Sequence, residues 1–355
     1  MELNYISCLF LSSPLLQSQF QPLGVQTHST LRCYLNLRCK LQSSSESKET
    51  SQSPKQMFVL GMGFVGQFFG EQLKREGWDV CGTCTSDDKK KKLEGMGFDV
   101  ELFDAKDPKC RSLMSLEHAT HLLISIPTIV GLGDPVLYQH RDVLGERLSY
   151  GNLQWLGYLS STSVYGDCGG AWVDEDYHVD PTSETAKTRL VAEKGWLSLG
   201  HDLGVSVQVF RLGGIYGPGR SALSTLIKQG SLTESQTKRE SRQYVSRVHV
   251  ADICQALKAS IDIPSSGRIY NIVDDEPAPR AEVFDYARCL VEKKWPGLIK
   301  SSSSTSRSMI QQKTKGGEKR VLNARIKNEL GVRLLHPTYR SGLDNILMFT
   351  KNPFQ

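Results

Sequence analysis

The sequence predicts an α/β fold, a doubly wound parallel sheet, and three observations carry that prediction. Short apolar runs alternate with amphipathic helical stretches from residue 57 onward. The runs are nearly continuous in their apolar character, as strands covered by helices on both faces must be. The first of them runs into a glycine-rich turn that opens a helix.

Residues 57–60 (MFVL) are the first strand, and Gly61, Gly63 and Gly66 follow as a G-x-G-x-x-G pattern. The next helix puts Val65, Phe68, Phe69 and Leu73 on one face and Gln67, Glu71 and Lys74 on the other. Gly77 stops it, and residues 80–83 begin the second strand. In such a unit Gly61 permits the tight turn, Gly63 lets the backbone approach a pyrophosphate, and Gly66 lets helix and strand pack closely. The helix start, with Phe64 and Val65 in its first turn, offers free N–H groups and a positive dipole end to phosphates. A dinucleotide is the expected cofactor.

Its adenosine end is read from the second strand. An NAD site places an acid there for the ribose 2′-hydroxyl, but residues 82–86 carry none before Asp87. Thr85 and Ser86 can hydrogen-bond a 2′-phosphate, and the lysines at 89–92 can supply charge, although at least three of these four fit a solvated helix face. NADP is therefore preferred, with NAD as the alternative. A third strand at 98–103 leads to Asp104, a contact for the adenine end. A fourth at 120–126 brings Ile126, Pro127 and Thr128 to the nicotinamide half, because ligands of open α/β sheets sit at the carboxyl ends of the strands. Pro127 also suits the end of a ladder.

Strands are expected again at 156–160 and 205–211, and the loop 213–219 leads into a smaller second domain. The division expected is a leader and linker at 1–56, a nucleotide-binding domain at 57–215 and a C-terminal domain at 216–355. Residues 229–244 read as a polar excursion near the site mouth, and 300–317 as a Ser- and Lys-rich loop. A helix at 281–293 presents Val283, Phe284, Ala287, Leu290 and Val291 as core. Two short helical patterns flank Pro337 in the closing segment.

Composition narrows the function classes. The chain has 355 residues, 39% hydrophobic and 23% charged, with a formal net charge of +5. No basic stripe with interleaved aromatics supports nucleic-acid binding. The longest apolar candidate, at 121–133, is broken by Pro127 and falls short of the roughly 20 residues a membrane span needs. Nine cysteines include the C-x-x-C pair Cys81 and Cys84, but no second pair stands at metal-ligand spacing, so no metal is expected. Their alternation fits strand packing, and the odd count suits reduced thiols. Residues 1–56 are rich in Ser, Gln, Leu and Thr, with Arg32, Arg38, Lys40 and a single early acid, Glu2. That pattern is expected of an organelle transit peptide followed by a polar linker, leading to the chloroplast stroma, with the mitochondrion as the alternative.

Four further stretches complete an ordered series: S-T-S-V-Y-G at 161–166, R-L-G-G-I-Y-G-P-G at 211–219, R-V-H-V-A-D at 247–252 and I-Y-N-I-V at 269–273. With the glycine loop, they resemble the extended short-chain dehydrogenase/reductases, the NAD-dependent epimerase/dehydratase group, over about residues 57–347. The resemblance implies a Rossmann-type domain with a small C-terminal substrate domain, and a serine at Ser161 that helps hold substrate. The family's catalytic pair is Tyr-x-x-x-Lys, a tyrosine acid/base whose pKa the lysine one turn later lowers. The matching region, residues 181–193, contains no tyrosine. Aligning Lys187 puts Ser183 in its place; aligning Glu193 puts Thr185 and Arg189 in the two places, and the second register is preferred.

The chain thus resembles an atypical member that keeps the cofactor loop and lacks the usual pair. An oxidoreductase with other acid/base groups and a non-catalytic NADP(H) sensor or scaffold both fit. Tyr165 and the acids at 174–176 have structural readings as well as catalytic ones, while Tyr177 and His178 stand nearby as possible substitutes. Asp252 reads first as favourable charge at a helix start. Arg247 and His249 are the candidates for meeting an anionic small-molecule substrate. The helix spanning 186–199 and the one before it fit a homodimer face and a core face equally well.

Overall fold

The structure, a computed structural model, describes residues 55–110, 113–149, 151–228, 244–299 and 318–352. The readings made for the leader and for the loops at 229–243 and 300–317 fall outside those residues.

The central sheet has seven strands in the order β10-β7-β5-β4-β1-β2-β3. They are β1 (Gln56–Leu60), β2 (Asp79–Cys84), β3 (Asp99–Leu102), β4 (His121–Ile124), β5 (Trp155–Ser161), β7 (Ser206–Leu212) and β10 (Ile269–Ile272). Every pairing within it is parallel. The strand order reverses between β1 and β4, so their carboxyl ends open a crevice at the topological switch point. Two short parallel pairs lie outside it: β6 (Trp172–Val173) with β11 (Arg320–Val321), and β8 (Gly214–Tyr216) with β9 (Arg247–His249).

Period-two alternation splits β1 between two cores. Met57 and Val59 join Phe69, Leu73, Phe210 and Ile253 on one face, while Phe58 and Leu60 join Leu122, Ile124, Tyr158 and Trp196 on the other. The four apolar β1 side chains, Met57 to Leu60, are fully buried, which is why that run shows no polar alternation. Helices α1 (Phe64–Arg75) and α5 (Glu184–Leu203) contribute Phe69 and Trp196 to the opposite faces. Gly66 sits where a Cβ would come within 2.8 Å of Val59 Cγ1, the close helix–strand approach expected of it.

A third core gathers Tyr216, Leu223, Val283, Ala287, Tyr339 and Leu343. Its helices are α6 (Ala222–Ile227), α8 (Arg280–Lys294) and α10 (Tyr339–Phe349), numbered so that α7 is Val250–Asp262 and α9 is Ala324–Leu330. Asp252 ties this segment to the sheet. Its carboxylate is buried and accepts from the N–H groups of Leu335 and His336, at 2.6 and 3.2 Å. The helix-start reading of Asp252 is therefore incomplete: the side chain is spent on a tertiary bond. Among the described residues no helix is long and apolar enough to cross a membrane, and no group of three or more His, Cys, Asp or Glu is placed to hold a metal.

Candidate active site

The crevice at the switch point begins with Gly61, whose φ of +98° is left-handed and whose Cβ would come within 2.8 Å of Ile126 Cγ1. Thr83, a residue the sequence reading passed over, accepts the Gly61 N–H at 2.9 Å and fixes the turn. Gly63 caps α1 with no side-chain bond, and the first turn of the helix holds no acid. A Cβ on Gly63 would meet nothing closer than 3.9 Å, so the backbone borders open space there. Val65 buries its side chain in the core and Phe64 is half-buried, so their contribution to a ligand is the N–H groups of the first turn. A diphosphate fits this arrangement on charge, shape and donor direction.

From the glycine turn a cavity of about 330 Å³ extends along the ends of β2, β3 and β4. Thr85, Asp104, Ile126 and Pro127 line it, as do Lys89 and Lys106. Ser86 caps the helix Asp87–Gly95, accepting from Lys89 N–H at 3.4 Å, and is not part of that lining. Of the lysines at 89–92 only Lys89 borders the cavity. Lys106 arrives through a tight turn in which Asp104 Oδ1 accepts its N–H at 3.0 Å. Thr128 is buried outside the lining, and its hydroxyl has no partner among the described residues.

A second cavity, about 240 Å³, opens at the ends of β5 and β7, where Ser161, Ser163, Gly213, Tyr244 and Lys319 line it. Ser161 is held by the turn it caps, its hydroxyl accepting from Ser163 N–H at 3.2 Å. Arg189 reaches the same turn, with Nη1 3.4 Å from Ser163 Oγ. Lys187 instead faces solvent and pairs with Glu184 at 2.9 Å, while Ser183 is the helix cap, accepting from Ala186 N–H. The helix thus turns Arg189, not Lys187, toward the Ser163 turn, although Arg189 is not part of the cavity lining. Thr185, one turn before Arg189, is exposed and lines neither cavity.

Beneath Ser161 lies a buried polar network that sets the rotation of α5. Glu193 and Arg211 are 1% and 3% exposed, with Arg211 Nη2 2.8 Å and Nε 3.1 Å from the two carboxylate oxygens. Ser160 donates to the same carboxylate. Burial works against the charge on Arg211, and its bonds to Glu193 outweigh that and raise its pKa. Arg211 also lies 4.9 Å over the ring of Tyr165, whose hydroxyl donates to Asn271 Oδ1 at 2.8 Å. Burial pushes the Tyr165 phenol up to about 12, so it is a packing residue and not a ready acid/base. The acids at 174–176 are likewise structural. Glu175 is buried and accepts from Asn271 N–H at 2.7 Å, and Asp176 pairs with Arg325 at 2.5 Å.

Of the two substrate candidates, Arg247 is buried against a third cavity and His249 is not on its wall. His249 caps α7, its Nδ1 accepting from Ala251 N–H at 3.2 Å, and stacks edge-on against His336. Burial drives its pKa down to about 3, so it is neutral and cannot meet an anion as a cation.

Comparison with known proteins agrees with this fold. The sequence profile described as "NAD dependent epimerase/dehydratase family" matches residues 141–273. Protein YeeZ of Escherichia coli is 29% identical over 290 residues, 80% of this chain and 97% of that protein. A functionally unknown conserved protein from Silicibacter pomeroyi superposes with a TM-score of 0.66 at 34% identity, covering 84% of this chain and all of that one. The UDP-glucuronic acid 4-epimerase of Bacillus cereus, solved in complex with NAD, superposes at 0.59 with 18% identity over 83% of this chain and 96% of its own, a likeness of fold.

Proposed function

The chain belongs to the NAD-dependent epimerase/dehydratase family and has its NAD(P)-binding fold, and from that premise we propose that it is an NADP(H)-dependent oxidoreductase of the plastid stroma working without a Tyr-x-x-x-Lys pair. The observation that carries the cofactor preference is the end of the adenosine crevice, where Lys89 and Lys106 stand and β2 ends without an acid. Two ammonium groups there match a 2′-phosphate, which NAD lacks. NADP(H), when bound, supplies or removes a hydride at the nicotinamide.

The rest is done by side chains of this protein. The Gly61–Gly63 turn and the first N–H groups of α1 hold the diphosphate. Ser161 orients a polar substrate atom by its hydroxyl. Arg189 brings a fixed positive charge to the same rim, suited to an oxygen that gains negative charge. One observation favours the non-catalytic sensor reading instead: Thr185 is exposed, so no hydroxyl from α5 stands over the Ser161 cavity. Titration of the purified chain with NADPH, followed by a broad carbonyl panel, separates the two; tight binding with no turnover anywhere selects the sensor.

Replacing Lys89 and Lys106 together by glutamate is expected to weaken NADPH binding by about tenfold or more, since charge-assisted bonds contribute about 1.5–3 kcal/mol each. NADH affinity should stay within about threefold, because the ribose hydroxyl offers those positions no charge. Equal losses for both nucleotides in a fluorescence titration would remove the 2′-phosphate assignment. The plastid assignment rests on the acid-poor, hydroxyl-rich composition of residues 1–56. A fluorescent protein carrying those residues should accumulate in chloroplasts; import into mitochondria alone would overturn it. A homodimer belongs to the same reading, supported by Val191 and Tyr138, which are 68% and 73% exposed on α5 and the adjoining helix Pro135–Gln139.

A further inference from the structure

The glycine turn carries no positive side chain: residues 61–66 read G-M-G-F-V-G. Lys89 and Lys106 border the crevice at its adenosine end. A dinucleotide diphosphate is doubly negative, and a helix start answers it with only roughly half a positive charge. Arg220 stands beside that helix start. Its guanidinium lies 5.3 Å from the centre of the Phe64 ring, and Phe64 is the first residue of α1. We propose that Arg220 is a diphosphate-binding residue of the cofactor site, delivered by the loop between β8 and α6; the assignment rests on the dinucleotide reading above.

The loop is built to hold Arg220 there. It closes on itself, with Gly217 N–H donating to Arg220 O at 2.9 Å and Arg220 N–H to Gly217 O at 3.0 Å. Gly219, at φ +75°, lets the chain turn back between them. The loop is also pressed against α1, since a Cβ on Gly217 would come within 3.2 Å of Phe64 Cζ and 2.7 Å of Val250 Cγ1. A larger residue at 217 would push the loop away, so the root of Arg220 is fixed against the first turn of α1.

The guanidinium has its hydrogen-bonding edge to offer. Arg220 is exposed, and among the described residues it makes no hydrogen bond or ion pair. A guanidinium lying on an aromatic face keeps its N–H fork for phosphate oxygens, and the stacking has already set its plane. The Phe64 ring and the first N–H groups of α1 belong to one helical turn. A diphosphate on those N–H groups therefore comes within the sweep of the Arg220 side chain.

The position has a second effect. Gly61 and Gly63 line the cofactor crevice, whereas Arg220 lines the third cavity, about 310 Å³, between the β8–β9 pair and the C-terminal helices. Ile215, Tyr216 and Ser221 of the same loop region line that cavity too. A diphosphate that holds Arg220 holds this wall with it, so the neighbouring cavity takes its final shape with the cofactor in place.

The test is a fluorescence titration of the full chain with NADPH and with NADH, set beside amide hydrogen exchange of residues 214–221 with and without NADPH. Arg220→Gln is expected to weaken both nucleotides about tenfold, as the loss of one charge-assisted contact does, and to leave the ratio of the two affinities unchanged. Replacement of Lys89 and Lys106 acts on that ratio instead. Arg220→Lys should recover part of the lost affinity, having the charge without the fork. NADPH should slow exchange across residues 214–221 in the natural chain and not in Arg220→Gln. The exposed position lets both variants fold, which a thermal melt verifies. Unchanged affinity in Arg220→Gln, a loss confined to NADPH, or exchange protection that is absent from the natural chain or persists in the variant overturns the proposal. Failure of the natural chain to bind either nucleotide removes the dinucleotide reading, and this proposal with it.

Discussion

Gly63→Asp is expected to abolish measurable NADPH binding while leaving the fold intact. The backbone at Gly63 has φ −82°, a conformation open to any residue, and a Cβ there meets nothing within 3.9 Å. Stability should therefore change by no more than about 0.5 kcal/mol, as for other unstrained substitutions. Binding is another matter. The new carboxylate enters the space that a diphosphate requires and takes the first N–H groups of α1 for itself. Loss of two charge-assisted bonds costs about 3–6 kcal/mol, at least a hundredfold in affinity. A fluorescence titration beside a thermal melt reads both effects. Gly61→Ala makes the contrast: its φ of +98° and the 2.8 Å approach to Ile126 predict a destabilised chain, so its binding loss would come with an unfolding defect.

Arg211→Met carries the largest expected effect on stability. It strands the Glu193 carboxylate in a site 1% exposed, and removing one member of a buried pair costs about 3–5 kcal/mol. Denaturant unfolding should show the midpoint falling sharply with the slope unchanged. The double replacement Arg211→Met with Glu193→Leu should recover much of that loss, because neither charge is then left alone. A double variant as unstable as the single one would mean that the network supports the fold through shape and not through charge balance.

The parts of the site that could be read from the sequence are those written in adjacent residues. A four-residue apolar run, three glycines and a helical face define the glycine turn within one short stretch, and the structure forms a strand, a left-handed turn at Gly61 and a helix there. Lys89 was distinguishable from its three neighbours only by the rotation of its helix against the sheet, which spacing does not record. Lys106 reaches the same crevice by a turn at Asp104. Glu175 looked like part of a solvated acidic loop; it is buried because the edge strand β10 needs an acceptor for Asn271 N–H. His249 looked like a ligand group beside Arg247, and strand alternation does put the two on one face, yet His249 Nδ1 is taken by the Ala251 N–H and the ring is off the cavity wall. Arg220 and Phe64 come from separate elements, and only the packing of the β8–α6 loop on α1 brings them together.

The Glu193–Arg211 pair has a consequence for how easily this protein could change its chemistry. Because Glu193 is pinned beneath the sheet rim, the residues four and eight positions earlier, Arg189 and Thr185, are presented on that same flank of α5 whatever their identity. Other side chains at those two positions would therefore sit on an unaltered frame. Thr185 is exposed and has room to grow. Two substitutions, Thr185→Tyr and Arg189→Lys, thus separate this chain from a tyrosine and a lysine one helical turn apart on α5.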